Sequence, residues 1–196
     1  MGEESSGFSN TVEVCFSPAL FPVYFQDKNC VVVVIDVFRA TTAICAAIDS
    51  GVEAVIPVAT IEEAIDYKQK GFIVGAERSA EAVEGFVFRN SPLFFKDGKH
   101  AGKTIVLTTT NGTKAIDMAK DAYKVVIGSF SNLDVVSEYI EREDKNVILL
   151  CAGWKDRFNL EDTLFAGALA EKLAQNLRFT DLADSTQAAI KLYDAA

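Results

Sequence analysis

Apolar residues fall along this chain in short runs separated by amphipathic stretches, and the two kinds of segment alternate. Runs at 11–16, 31–36, 53–58, 72–75, 104–108, 124–128 and 146–151 have the length and β-branched content of strands. VVVVI at 31–35 is apolar at every position, which predicts a strand covered on both faces. Between the runs, TTAICAAIDSG, TIEEAIDYKQKG, TKAIDMAKDA, NLDVVSEYIERED and LEDTLFAGALAEKLAQNL carry helical spacing. The closing LRFTDLADSTQAAIKLYDAA reads as helical too, with Asp184 or Ser185 as cap. Such alternation predicts an α/β protein with a mostly parallel sheet covered by helices on both faces. Ligands of open sheets of this kind bind beyond the carboxyl ends of the strands, where Asp36, Thr108 to Thr110 and Cys151 fall.

Two parts of the pattern repeat. VIDVFRATTAICAAIDSG and VLTTTNGTKAIDMAKDAY align without a gap 72 residues apart, setting Thr41 against Thr113 and Ala43 against Ala115. After a one-residue slip, VIPVATIEEA matches VIGSFSNLDVV as a second strand and capped helix. A duplication and a shared turn grammar both account for this echo. Either way, two similar turns are expected to face one pocket. Residues 75–103 break the rhythm, and an irregular connection of that length is expected to be a functional loop. Its phenylalanines at 86, 88, 94 and 95 give it enough apolar mass to lie ordered across a site.

Composition narrows the setting. With 196 residues and 49% hydrophobic content, the chain is long enough for one substantial core over 1–196. A formal net charge of −9 argues against nucleic acid and anionic membrane surfaces as partners. The absence of an apolar run of about 18 residues, and of a basic start followed by an apolar core, leads us to expect a cytoplasmic protein. Cys15, Cys30, Cys45 and Cys151 are widely spaced and read as reduced thiols. The single histidine, His100, sits in a Gly- and Lys-rich turn and reads as an exposed loop residue.

The polar turns carry the candidate chemistry. An acid at the end of a buried strand, Asp36, can ligate a hard cation or act as nucleophile or base. Arg39 can grip an anion bidentately, and Thr41 and Thr42 open a helix whose dipole favours phosphate. The plainer alternative makes Asp36 a cap and Arg39 the partner of a surface carboxylate. Asn111-Gly112 reads as a left-handed turn, followed by Thr113 at a helix start. Cys151 and Arg157 have the C-x5-R spacing of thiol phosphatases, although Arg157 precedes the expected N-cap Asn159. Otherwise Cys151 is a buried small hydrophobe. Glu161 and Asp162 begin the last long helix, as dipole partners or as groups approaching a metal.

Taken together, DVFRATT at 36–42, GAERS through GFVFRNSP at 75–92, TTTNGTKAI at 108–116 and CAGW through LEDTLFAG at 151–167 resemble the 2-phosphosulfolactate phosphatase family. The resemblance implies a three-layer α/β/α sandwich with a Rossmann-like sheet. It also implies Mg²⁺-dependent hydrolysis of 2-phospho-3-sulfolactate to 3-sulfolactate and phosphate, a step towards coenzyme M in organisms that make it. On that footing we assign Asp36 and Glu77, with Asp162, to the metal or its waters. Asp36, Arg39 and Glu77 form the catalytic set. Thr41, Thr42, Arg78, Asn90, Ser91, Asn111, Gly112 and Thr113 would hold the small anionic phosphate ester. Whether water or a protein group attacks phosphorus stays open, as does a homo-oligomer. Two departures stand out: Arg89 precedes NSP where the family has glycine, and the family continues past KLYDAA, so a truncated chain lacking a strand or part of the site is expected. The competing readings are a Cys151-dependent thiol phosphatase, an aspartyl phosphatase of the haloacid dehalogenase type that would want an acid where Phe38 stands, and a non-catalytic binder of a phosphorylated or sulfonated acid.

Overall fold

A computed structural model describes residues 9–78, 81–82, 86–88 and 91–196, with backbone alone at 77, 78, 81 and 82. The strands are β1 (Thr11–Cys15), β2 (Val31–Ile35), β3 (Ala54–Val58), β4 (Ile73–Arg78), β5 (Glu81–Ala82), β6 (Thr104–Thr108), β7 (Lys124–Gly128), β8 (Val147–Cys151) and β9 (Asp181–Leu182). The helices are α1 (Phe21–Tyr24), α2 (Ala40–Asp49), α3 (Ile61–Gln69), α4 (Gly112–Ala119), α5 (Leu133–Glu143), α6 (Leu160–Leu173) and α7 (Asp184–Asp194). The α/β class and the parallel strands between helices follow the alternating pattern. The strands divide, however, into two sheets, ordered β7-β2-β8-β1-β9 and β3-β6-β4-β5. Among the described residues all strand ladders are parallel except the short β4–β5 pair.

Burial explains the first sheet. Every residue of β2 and β8 is buried, as expected for central strands covered on both faces. Val31, Val33 and Ile35 point to one side, with Phe165, Leu169 and Leu173 of α6 and Ile140 of α5. Val32 and Val34 point to the other, with Ala115 and Ala119 of α4 and Phe21. The sheet is thus the middle of three layers, and its strand alternation sorts side chains between the outer two.

The echo in the sequence becomes an exchange in space. The unit β2-α2-β3 starts in the first sheet and ends in the second; β6-α4-β7 starts in the second and ends in the first. Consequently β2 pairs with β7, and β6 pairs with β3. Helix α2 packs Ala47 against Ile105 and Leu107 of the second sheet, while α4 packs on the first. Both helices begin at matching positions, Ala40 and Gly112.

Three other expectations change. Residues 75–78 of the irregular segment belong to β4, and Phe88, Phe94 and Phe95 pack against α2 and the second sheet. His100 is half-buried, its ring stacked on Phe94 with centroids 4.8 Å apart, rather than exposed. The C-terminal stretch is not one helix: β9 interrupts it, and α7 is capped by Ala183, with Asp184 already helical. Thr186 of α7 completes the edge of β1, its hydroxyl accepting from Val14 N and donating to Val12 O.

Candidate active site

The apolar run of β2 ends at Ile35, and the chain turns at once into α2. Asp36 O accepts the N–H groups of Arg39 and Thr41 at 3.2 and 3.1 Å, and Asp36 N donates to Thr41 Oγ1 at 3.1 Å. Thr42 Oγ1 donates to Val37 O. The two threonine hydroxyls are therefore engaged in shaping the Asp36–Val37 turn. Asp36 itself is only 1% exposed, a cost that a carboxylate bears only with compensating charge or hydrogen bonds. Arg39 supplies part of that, its Nε 3.5 Å from Asp36 Oδ1.

Arg39 is held from the other side as well. Its Nη2 lies 3.4 Å from Gly153 O, and its Cζ sits 4.5 Å from the centroid of the Trp154 ring. That contact has the geometry of a cation–π pair. Gly153, Lys155 and Asp156 have φ of 61°, 52° and 59°, and Trp154 and Arg157 exchange two backbone hydrogen bonds of 3.0 Å. This is a two-residue turn with both central residues in the left-handed region. A Cβ at position 153 would lie 2.2 Å from Arg157 O, so both the positive φ and the space require glycine there.

The turn is tied to its surroundings at several points. Asp156 makes an ion pair with Lys114 of α4 at 2.7 Å and accepts Ser17 Oγ at its carbonyl at 2.5 Å. Lys155 N reaches Asn111 Oδ1 at 3.4 Å. Asp162, fully buried in the first turn of α6, joins the turns after β2 and β8. Its Oδ1 accepts Val37 N at 2.9 Å, and its Oδ2 accepts Gly153 N at 3.1 Å. Burial pushes the Asp162 carboxyl above the usual carboxylate range, while the hydrogen bonds from Val37, Asn159 and Gly153 pull the other way.

The second sheet delivers Asn111 and Gly112. Thr109 anchors this turn: its Oγ1 accepts Thr113 N at 3.1 Å, and its carbonyl accepts Thr113 Oγ1 at 2.7 Å. Gly112 does not adopt a left-handed turn, and Asn111 has φ −112°. Glycine is required at 112 for a different reason. A Cβ there would stand 2.6 Å from Ala40 Cβ and 2.7 Å from Asp36 Oδ2, so the starts of α2 and α4 meet only because the side chain is absent. Asn111 is 5% exposed, and its Nδ2 has no hydrogen-bond partner among the described residues. A buried amide donor so placed calls for an acceptor.

The structure thus brings together Asp36, Arg39, Thr41, Thr42, Asn111, Gly112, Thr113 and Asp162. Ser91 instead opens the turn at Pro92–Phe95, whose phenylalanines pack beside α2. Glu77 and Arg78 end β4 in backbone, but their side chains, like Asn90 and Arg89, lie outside the described residues. Gly153, Trp154 and Lys155 belong to the cluster without having been singled out, and Thr109 joins it from the strand end already marked in the sequence. For Trp154 the one signal was its place in the quoted CAGW. Cys151 is fully buried among the side chains that face α6, and burial together with the nearby Asp162 carboxylate raises its thiol well above the ordinary value. Such a thiol is protonated at neutral pH and is a poor nucleophile.

Mg²⁺ takes oxygen ligands and commonly keeps several waters, using one or two carboxylates and the substrate's phosphate. Among the described residues no three His, Cys, Asp or Glu side chains converge as a cage. The donor set fits the water-rich arrangement, with Asp36 as its carboxylate. Both oxygens of Asp162 already serve the two loops as acceptors.

The fold and these turns define an α/β protein in which two helix N-termini, an arginine and a buried carboxylate meet at the junction of its sheets. The chain belongs to the 2-phosphosulpholactate phosphatase family, whose sequence profile matches residues 15–196. It is 44% identical over 163 residues to a "probable 2-phosphosulfolactate phosphatase" of Thermotoga maritima, covering 83% of this chain and 69% of the relative. A protein of the same description from Caldanaerobacter subterraneus subsp. tengcongensis is 40% identical over 172 residues, 86% of this chain and 70% of its own. One from Clostridium perfringens is 35% identical over 175 residues, again 86% and 70%.

Proposed function

We propose that this protein is a phosphoric monoester hydrolase that converts 2-phospho-3-sulfolactate to 3-sulfolactate and phosphate with Mg²⁺. The observation that carries the reading is the meeting of the α2 and α4 starts beside Asp36 and Asn111, whose Nδ2 has no hydrogen-bond partner among the described residues. Helix N-termini favour a phosphate electrostatically, and the family membership supplies the ester.

In this reading Asp36 and Glu77 hold the metal or its waters. Mg²⁺, when bound, offsets the charge developing on the phosphoryl oxygens. Arg39, fixed between Asp36, Gly153 O and Trp154, directs its guanidinium at the phosphate, for which the planar fork is suited. Asn111 Nδ2 donates to a substrate oxygen. Thr41, Thr42 and Thr113 hold the turns that present the helix ends. Arg78, Asn90 and Ser91 are left for the carboxylate and sulfonate, and Asp162 braces the two loops. In this reading the pathway is that of coenzyme M, and the compartment the cytoplasm.

The test is phosphate release from 2-phosphosulfolactate by the purified protein, with Mg²⁺ and with excess EDTA, beside 2-phospholactate lacking the sulfonate. Release that needs the metal and favours the sulfonated ester is expected. Thermal stabilisation by the ester without release would instead identify a binding protein.

A further inference from the structure

We propose that Trp154 is a positioning residue that sets the Arg39 guanidinium for its phosphate contact, an inference that rests on the reading of Arg39 as a phosphate ligand. An arginine on a loop has many rotamers, and ordering it costs entropy at each binding event. Here the guanidinium is confined on three sides before any ligand arrives: Asp36 Oδ1 at 3.5 Å from Nε, Gly153 O at 3.4 Å from Nη2, and the Trp154 ring at 4.5 Å from Cζ. Of these, the indole is the contact that confines the guanidinium without competing for its hydrogens.

The indole can do so only if its own turn is rigid, and the turn is built for that. Two backbone hydrogen bonds close it, Gly153 N is anchored on Asp162, and the Lys114–Asp156 ion pair fastens its tip to α4. The same turn touches Asn111 through Lys155 N. The stack therefore links the arginine of one repeated unit to the helix start of the other through a single rigid loop.

The experiment is a calorimetric titration of the full chain with inorganic phosphate, for wild type, Trp154→Ala, Trp154→Phe, Arg39→Gln and the Arg39→Gln/Trp154→Ala pair, with thermal melts confirming that each is folded. Trp154→Ala is expected to weaken phosphate binding roughly three- to thirty-fold, the range of a partly desolvated cation–π contact. Trp154→Phe keeps an aromatic face and should recover most of that loss. In the Arg39→Gln background the alanine substitution should add nothing, since the group it orients is gone. A loss of equal size in the Arg39→Gln background, or Phe behaving like Ala, would overturn the positioning role, as would Trp154→Ala binding like wild type. If wild type does not bind phosphate, the inference and the phosphate reading of Arg39 fall together. If the cycle holds but 2-phosphosulfolactate is not turned over, only the proposed activity is rejected.

Discussion

Asp162→Asn isolates the joint that holds the two turns of the first sheet in place. The carboxylate accepts Val37 N through one oxygen and Gly153 N through the other, at 2.9 and 3.1 Å. An asparagine amide keeps one acceptor and turns its NH₂ towards the second N–H, so one buried donor is stranded. Leaving such a group unsatisfied costs about 1–3 kcal/mol. Asn also relieves the cost of burying a charge, which places it towards the lower end. Asp162→Ala strands both donors, at about 2–6 kcal/mol. For a chain of this size about 2–4 °C of melting temperature accompanies each kcal/mol, so the Asn variant is expected to melt roughly 2–10 °C lower and the Ala variant lower still. Circular dichroism melts measure this directly. The Mg²⁺ dependence of phosphate release should stay as in wild type for Asn, because the residue acts as a brace. Melting within a degree of wild type for both variants would refute the joint, and a large rise in the Mg²⁺ requirement would return Asp162 to the metal.

Other outcomes follow from the same contacts. Burial raises the Asp162 carboxyl, so between the ordinary carboxylate value of about 3.9 and its folded value the native state holds more protons than the unfolded chain, and stability falls as pH rises through that window. Denaturation midpoints should therefore show the lead of wild type over Asp162→Asn larger at the acid end of the range; a constant or reversed lead would contradict the shift. Gly112→Ala places a methyl group 2.6 Å from Ala40 Cβ and 2.7 Å from Asp36 Oδ2 and is expected to destabilise by about 1–3 kcal/mol while lowering phosphate release; an unchanged melt would deny the close approach of the two helices. Cys151→Ala should release phosphate within a few-fold of wild type, since its buried thiol is protonated, and near-complete loss in a folded variant would revive the thiol mechanism.

Much of the frame was legible because burial leaves a periodic signature. The five-residue apolar run of β2 and the helical spacing of α2 through α6 reflect local chain physics, as does the capping box of Thr60 and Glu63 at the start of α3. The echo placed two helix starts 72 residues apart, and α2 and α4 begin on that spacing. Partner choice was not legible: an apolar run says strand but not which strand lies beside it, so the division into two sheets and the exchange of units between them emerge only in three dimensions. Strands β5 and β9 and helix α1 are too short to show any period. Asn111-Gly112 has the letters of a left-handed turn, yet the glycine answers a contact with Asp36 and Ala40 that is distant in sequence. Thr41 and Thr42 read as ligand donors, while their hydroxyls close the turn itself. Trp154 gave no chemical signal in sequence, because its contact with Arg39 spans two loops of different strands.

The most direct measurement is phosphate release from 2-phosphosulfolactate by Asp36→Asn, compared with wild type at saturating Mg²⁺ and after melts confirm the fold. With metal, arginine and phosphate proposed to gather around this one buried carboxylate, a loss of kcat of about 10²-fold or more is expected, on the scale of removing a charged group from the reacting centre. Release by the folded variant at close to the wild-type rate would contradict it.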